Sequence, residues 1–181
     1  MIIFFGPAGA GKSVQGQILA ARQGWRWLST GQLLRDSKDP EIIRELHTGK
    51  LIATDTVNAL MGDAIKRAEH IDQLILDGFP RLKEQAEWLI ANQPTHGRAI
   101  GMVVVLEVPK SELLRRLDVR GRADDTPEAI EERLTIYRQE VYPILNYFSE
   151  QNIAIAHIDG NGTVGQVHDR IVAELEAHNL A

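Results

Sequence analysis

The feature that most constrains this chain is a glycine-rich segment directly after its first apolar run. Residues 6–13 read GPAGAGKS, which fits G-x-x-x-x-G-K-[ST], and they follow the apolar run Ile2–Phe5. Glycines let backbone N–H groups turn toward one point, and a helix beginning there favours an anion. Lys12 adds a charge for the outer phosphates, and the Ser13 hydroxyl can face magnesium. The segment predicts a P-loop; the alternative is a glycine-rich turn that only joins a strand to a helix.

The rest of the chain alternates short apolar runs with segments of helical periodicity. A helix is expected to begin after Thr126, with Pro127 at its first position and apolar residues spaced three or four apart as far as Phe148. Apolar runs without alternation are typical of strands buried on both faces of a parallel sheet. The predicted fold is therefore α/β, a three-layer P-loop fold with a five-stranded parallel sheet flanked by helices. The predicted strands are 2–5, 25–28, 74–76, 102–108 and 153–158.

Composition excludes several classes of protein. A length of 181 residues suits one domain, and the net charge of -5 argues against a nucleic-acid-binding surface. The absence of cysteine excludes disulfides and cysteine-based zinc sites. No apolar run approaches the roughly 18 residues of a membrane span, and no charged leader precedes the first run. We expect a cytoplasmic protein without a nucleic-acid or membrane partner, and a monomer.

A carboxylate ends the third predicted strand. Asp77 follows the apolar run 74–76, and in P-loop proteins an aspartate at such a position holds magnesium, directly or through water. The alternative is an ordinary turn residue, because aspartate is common at strand ends. Together with the P-loop, Asp77 and Ser13 predict a Mg²⁺ site in which the ion is held through water.

Four further motifs follow one another along the chain. They are STGQLLR at 29–35, GKLI at 49–52 with Asp55, DGFPR at 77–81 with Gln85, and RGRADD at 120–125 with Arg133. With the P-loop, the ordered set resembles the nucleoside monophosphate kinases, and most closely the adenylate kinases with a short lid. The resemblance covers nearly the whole chain. It implies a single P-loop kinase domain over 1–181, with an inserted nucleoside-monophosphate-binding region at 29–58 and a short lid loop at 119–126.

The resemblance also implies a reaction and a set of site residues. The reaction is the reversible transfer of the ATP γ-phosphoryl group to AMP, giving two ADP, with Mg²⁺ as cofactor. ATP would be held by Gly9, Ala10, Gly11, Lys12, Ser13, Val14, Arg116, Arg120 and Gly162. AMP would be held by Thr30, Arg35, Lys50, Leu51, Ile52, Gly78, Phe79, Pro80, Arg81, Gln85, Arg122 and Arg133. The catalytic group would comprise Lys12, Arg81, Arg120, Arg122 and Arg133.

Other interpretations of single residues remain open. Arg116 could extend to solvent beside its apolar neighbours, Gln85 could be a solvated helix residue, and Ser29 with Gln32 could form a capping box. The family usually has a threonine where this chain has Val14, which removes one phosphate contact.

Two other functions remain possible, a UMP/CMP kinase and a nucleotide-binding regulatory protein without turnover. Thr30 and Gln85 favour AMP over UMP or CMP. The intact Lys12, Asp77 and arginine set argues against a protein without turnover. A GTPase-type switch is excluded because the chain has no N-K-x-D sequence.

Overall fold

Five parallel strands form one sheet in the computed structural model, which describes residues 1–48, 51–122 and 125–181. Their order across the sheet is β2-β3-β1-β4-β5. The strands are β1 (Ile2–Phe5), β2 (Arg26–Ser29), β3 (Leu74–Asp77), β4 (Met102–Glu107) and β5 (Ala154–Asp159). The predicted five-stranded parallel sheet is confirmed.

Four of the five predicted strands differ from the observed ones by one residue at one or both ends. β2 and β5 start and end one residue later than expected, β3 runs on to an aspartate, and β4 stops one residue earlier. β2, β3 and β5 extend further because backbone pairing continues beyond their apolar runs: Ser29 of β2 pairs with Asp77 of β3, and Asp159 of β5 pairs with Glu107 of β4. Strand pairing uses backbone groups, so polar residues can share it. As a result, polar side chains lie at the carboxyl edge of the sheet.

Helices cover both faces of the sheet and bury two apolar clusters. α2, α4, α5 and α8 pack on the face that includes Ile3 and Val103, whereas α1 and α9 pack on the face that includes Phe4 and Val104. The helices of the described residues are α1 (Lys12–Gln23), α2 (Thr30–Asp36), α3 (Pro40–Thr48), α4 (Thr54–Arg67), α5 (Lys83–Ala91), α6 (Gln93–His96), α7 (Lys110–Arg120), α8 (Pro127–Glu150) and α9 (Val164–Ala177). The layers are those of an α/β three-layer fold.

Helix starts agree with the sequence in one place and differ in another. α8 begins at Pro127, and the Thr126 side chain accepts a hydrogen bond from the Ala129 backbone N–H at 3.2 Å, as predicted. No capping box forms at α2, because the Gln32 side chain donates along the helix to Asp36 at 2.8 Å instead. The alternative explanation of that segment as a simple helix cap is therefore wrong.

The described residues between β2 and β3 form three helices rather than one crossover helix. Within Pro40–Thr48, which forms α3, no residue is buried. α3 contacts α2 and α8 at the mouth of the cleft described below. Among the described helices, none combines the length and apolar character needed to cross a bilayer.

Candidate active site

A cleft of about 580 Å³ opens at the carboxyl edge of the sheet. Loops that follow parallel strands leave the sheet at this edge, which is where α/β proteins bind ligands. The cleft wall includes all the predicted ATP-binding residues and, from the predicted AMP-binding set, four arginines. These residues are Gly9, Ala10, Gly11, Lys12, Ser13, Val14, Arg116, Arg120 and Gly162, with Arg35, Arg81, Arg122 and Arg133.

The glycine-rich segment forms a tight loop between β1 and α1. Gly9 has φ +86°, and a Cβ there would lie 3.0 Å from the Leu113 carbonyl oxygen, so only glycine fits without strain. α1 begins at Lys12, and its first turn opens onto the cleft. The first backbone N–H groups of a helix have no intrahelical partner and attract anions. The loop therefore has the backbone conformation of an anion site.

Lys12 is folded back onto this loop. Its Nζ donates to the carbonyl oxygens of Gly6 at 2.6 Å and Pro7 at 3.0 Å. The pKa of Lys12 is lowered to about 8, mainly by burial; the charge of Asp77 opposes this change, and Arg81 and Arg120 add to it. A bound anion would favour the charged lysine, because an opposite charge stabilises the protonated form.

Ser13 and Asp77 meet beside the loop. β3 lies next to β1, with Phe4 paired to Asp77, and this register brings the carboxylate to the start of α1. The Ser13 hydroxyl donates to Asp77 Oδ2 at 2.6 Å, and Asp77 is buried. Among the described residues, no three acidic, histidine or cysteine side chains are grouped to hold a metal. A hydroxyl with one carboxylate fits Mg²⁺, which usually keeps waters and takes its other ligands from phosphates.

Arg116 crosses from α7 to two loops. Its Nε donates to Glu112 on α7 at 2.7 Å, its Nη1 donates to the Ala10 carbonyl of the P-loop at 3.5 Å, and its Nη2 donates to the Gly160 carbonyl at 3.1 Å. The side chain is therefore turned toward the cleft, and the alternative that it extends to solvent is wrong. Hydrogen bonds from Arg115 and Arg116 lower the pKa of Glu112 to about 2.

Two arginines converge on a buried carboxylate at the far end of the cleft. Arg120 donates to both oxygens of Asp125, at 2.7 and 2.6 Å, and Arg133 donates to Oδ1 at 2.9 Å. The Asp125 side chain is only 2% exposed. Arg133 also donates to the Leu46 carbonyl of α3 at 3.3 Å. Asp125 therefore holds two guanidinium groups near the P-loop and links α7 and α8.

The segment after β3 turns sharply and carries Arg81. Gly78 has φ +74°, and a Cβ there would lie 3.1 Å from Arg81 Nη2. Arg81 Nε donates to the Gly78 carbonyl at 3.0 Å. The Arg81 backbone N–H donates to Gln85 Oε1 at 2.7 Å, and Gln85 is 2% exposed. The alternative of a solvated Gln85 is therefore wrong.

Some predicted AMP-binding residues lie behind the cleft wall. Thr30, Ile52, Phe79 and Gln85 are buried, and the Thr30 hydroxyl has no hydrogen-bond partner among the described residues. Leu51, Gly78 and Pro80 line a neighbouring cavity of about 110 Å³, which shares Lys12, Arg81 and Arg133 with the cleft. Lys50 lies outside the described residues.

Gly162 lies at the opposite end of the cleft, in the loop between β5 and α9. Arg170 Nη1 donates to the carbonyl oxygens of Asp159 at 2.6 Å and Asn161 at 2.7 Å, which fixes this loop against α9. Thr163 caps α9 and exchanges hydrogen bonds with Gln166 in a capping box.

Comparison with known proteins identifies the family to which the chain belongs. The adenylate kinase family model matches residues 4–153. The chain belongs to the adenylate kinase family. It is 37% identical over 180 residues to an adenylate kinase of Mycobacterium leprae, and 36% identical over 184 residues to one of Thermus thermophilus. Each alignment covers 96% of this chain, and 98% and 96% of the two relatives respectively.

As a member of the adenylate kinase family, the protein is a phosphotransferase. Its site has features that this family's chemistry requires: an anion-binding loop, a lysine, a carboxylate beside a hydroxyl, and several arginines around one cleft. Phosphoryl transfer passes through a loose transition state, so the protein mainly positions the reactants and neutralises charge. No nucleophilic side chain is needed.

The sequence did not reveal the roles of Glu112 and Gln15, which line the cleft, or of Asp125, which binds two of its arginines. Asp125 was part of a recognised motif but was not assigned a role, although three arginines within eight residues of it were the available signal. Glu112 precedes Arg116 by one helical turn, a spacing that predicts an ion pair. Gln15 also lines the cleft, and no local pattern indicates its partners, which lie about 150 residues away.

Proposed function

We propose that the protein catalyses the reversible transfer of the ATP γ-phosphoryl group to AMP, giving two ADP. The observation that carries this proposal is the convergence of Lys12, Arg81, Arg120, Arg122 and Arg133 on one cleft between the P-loop and the turn after β3. A phosphate oxygen of AMP would form a bond to the γ-phosphorus as the bond to the β–γ bridging oxygen breaks. The arginines and Lys12 would neutralise the charge on the transferring group throughout.

The donor phosphates would bind along the P-loop. Backbone N–H groups of the loop and of the first turn of α1 would contact the phosphates, and Lys12 Nζ would leave the loop carbonyls for the outer phosphates. Arg116 and Arg120 would reach ATP from α7, and the Gly162 backbone would lie beside the base. The Val14 side chain is about half exposed in the cleft and offers no hydroxyl to a phosphate.

Lys12 makes ATP binding dependent on pH. Because its pKa is about 8 without nucleotide and phosphates would raise it, ATP binding is expected to take up a proton above pH 8. The contribution of Lys12 to ATP affinity should be constant below pH 8. Above pH 8 the affinity should fall by at most about ten-fold per pH unit. Calorimetry of ATP binding between pH 7 and 10 measures this slope. A Lys12→Met protein should lose it, and an equal slope in that variant would contradict the assignment.

Magnesium would be held by Ser13 and Asp77 through water, and it would neutralise charge on the donor phosphates. Asp77→Asn is expected to raise the Mg²⁺ concentration for half-maximal activity by about 10- to 100-fold, as loss of an outer partner usually does. Folding should change less, because the substituted amide would still have an oxygen that accepts from Ser13. Titrating Mg²⁺ against rate tests this, with Asp63→Asn on the exposed face of α4 as the matched control. Activity that persists in excess chelator contradicts the metal role.

The acceptor base would be read by Gln85. Its Oε1 already accepts from the Arg81 N–H and has a second lone pair, which can accept from the exocyclic amine of adenine. Its amide NH₂ can donate to a ring nitrogen of the same base. Thr30, whose buried hydroxyl has no partner among the described residues, would lie near the base.

We expect Gln85→Ala to lower the preference for AMP over UMP more than it lowers kcat with AMP. A polar partner left unsatisfied costs about 1–3 kcal/mol, which is about 5- to 150-fold in selectivity. Assays with AMP, UMP, CMP and GMP provide the ratios of kcat/KM. The exposed neighbour Glu84→Ala serves as control. An AMP/UMP ratio equal to that of the control would favour the UMP/CMP kinase alternative.

The inserted region at 29–58 and the lid loop at 119–126 would close over the nucleotides. The hydrogen bond from Arg133 to the Leu46 carbonyl supports this, because it joins α8 to the exposed helix α3. With a short lid, closure would depend on Arg120, Arg122 and movement of the inserted region. A monomer in the cytoplasm remains our prediction.

A further inference from the structure

Two buried polar side chains connect α1 to α9 behind the donor end of the cleft. Gln15 lies on α1 and His168 on α9, and each is 3% exposed. Gln15 Nε2 donates to the Val164 carbonyl at 2.9 Å, and Gln15 Oε1 lies 3.2 Å from His168 Nδ1. Among the described residues, Gln15 makes all the side-chain hydrogen bonds between these two helices.

The Val164 carbonyl determines which atoms of this pair donate and which accept. A carbonyl oxygen only accepts, so the Gln15 NH₂ group must face Val164 and its oxygen must face His168. His168 Nδ1 must then carry the proton and donate. Burial lowers the pKa of His168, and nearby Arg22 lowers it further while Asp169 opposes, so the ring is neutral at pH 7. Its Nε2 is buried without a partner among the described residues.

An unpartnered buried nitrogen costs stability, so stability alone does not explain a polar pair at this place. The position of the pair suggests another role. Gln15 comes two residues after Ser13 in the P-loop helix, and Val164 comes two residues after Gly162 in the loop that would meet the ATP base. The Val164 side chain is about half exposed and lines the cleft.

The other connections of this loop cannot fix it to the P-loop while nucleotide binds. Arg170 holds the loop only to α9. Arg116 links Gly160 to α7 and, at 3.5 Å, to the Ala10 carbonyl of the P-loop, but it lines the cleft as a candidate ATP contact and would have to move when ATP binds. Gln15, which is buried, can keep its bond to Val164 in both states.

We propose that Gln15, oriented by His168, is a positioning residue that fixes the start of α9, and with it the preceding base-side loop at 160–163, to the P-loop helix and so sets affinity for ATP. The proposal rests on the proposed function, because it takes ATP as the donor. If this is so, loss of the Gln15–Val164 hydrogen bond should weaken the binding of ATP but not that of AMP. The bond aligns the base end of the ATP site with its phosphate end, whereas the AMP-binding side of the cleft does not contact Gln15.

The test compares four variants of the full chain. Gln15→Leu removes both hydrogen bonds, and His168→Leu removes the donor to Gln15, whereas His168→Gln keeps an amide donor. Gln17→Leu, on the exposed face of α1, is the matched control. ATP dissociation constants are measured by calorimetry without AMP, followed by KM for ATP and AMP, kcat and the unfolding midpoint.

We expect Gln15→Leu to raise the Kd and KM for ATP by about 5- to 10-fold, the worth of one or two hydrogen bonds. KM for AMP should stay within about two-fold, a split that simple destabilisation does not produce. His168→Leu should show a smaller rise, and His168→Gln should restore ATP affinity toward that of the wild type. If Gln15→Leu does not fold, the two His168 variants make the same comparison.

The proposal is overturned if Gln15→Leu raises both KM values equally, or leaves ATP affinity as Gln17→Leu does. Equal ATP affinities for His168→Leu and His168→Gln would overturn the orienting role of His168. Failure of the proposed function would give a different result, because the wild-type protein would then form no AMP-dependent ADP. In that case the ATP dissociation constants of the variants would still test the role of Gln15.

Discussion

Lys12→Met is expected to lower kcat/KM for ATP by about 10²–10³-fold, the usual cost of removing one charged donor from a transition state. The lysine supplies a positive charge at the point where the γ-phosphoryl group is transferred, and methionine keeps a similar length without the charge. In the free protein the Lys12 ammonium donates to carbonyl oxygens of its own loop, and burial lowers its pKa to about 8. Because folding lowers this pKa, the charged side chain opposes folding at neutral pH.

Two measurements separate catalysis from folding for this variant. The unfolding midpoint of Lys12→Met without nucleotide should equal or exceed that of the wild type, whereas the upward shift on adding ATP should shrink. Lys83→Met is the control, because Lys83 is exposed on α5 and pairs with Glu87 at 3.5 Å. Near wild-type turnover in Lys12→Met would contradict the assignment of residues 6–13 as the phosphate-binding P-loop.

Arg133→Met is expected to lower kcat by about 10²–10³-fold, with a smaller effect on KM for ATP. Arg133 lines both the cleft and the neighbouring cavity, between the P-loop and the turn after β3. Its ion pair with Asp125 and its bond to Leu46 hold the guanidinium at this junction in the free protein. When both nucleotides bind, the same group would lie between donor and acceptor phosphates.

The matched control for Arg133 is Arg138→Met on the same helix. Arg138 is exposed and pairs with Glu131 at 3.3 Å, away from the cleft. Steady-state rates with saturating ATP and AMP give the comparison, and circular dichroism measures the helix content of both variants. A loss of kcat no greater than that of Arg138→Met would show that Arg133 only joins α8 to its neighbours.

The sheet could be predicted from the sequence because fully buried parallel strands leave continuous apolar runs such as Ile2–Phe5. The P-loop could be predicted because its backbone conformation requires glycines at fixed spacing, as at Gly9. The ends of three strands could not be predicted, since Ser29, Asp77 and Asp159 pair through backbone groups, whose pairing does not depend on side-chain type.

The arrangement of charges in the free site also could not be predicted. The two arginines that bind Asp125 lie on different helices, Arg120 at the end of α7 and Arg133 within α8, and their spacing along the chain does not show that both donate to one carboxylate. Gln15 and His168 are 153 residues apart, and neither is part of a recognisable motif with the other. Sequence patterns record local spacing, whereas these contacts arise from the packing of α1 against α9.

The most direct test of the account is ADP formation from ATP, Mg²⁺ and each nucleoside monophosphate in turn, measured with the purified protein. The account predicts two ADP for each AMP consumed, a rate that requires both nucleotides, and a higher kcat/KM with AMP than with UMP, CMP or GMP. ADP formation at the same rate without AMP, or a higher kcat/KM with UMP or CMP, would contradict it.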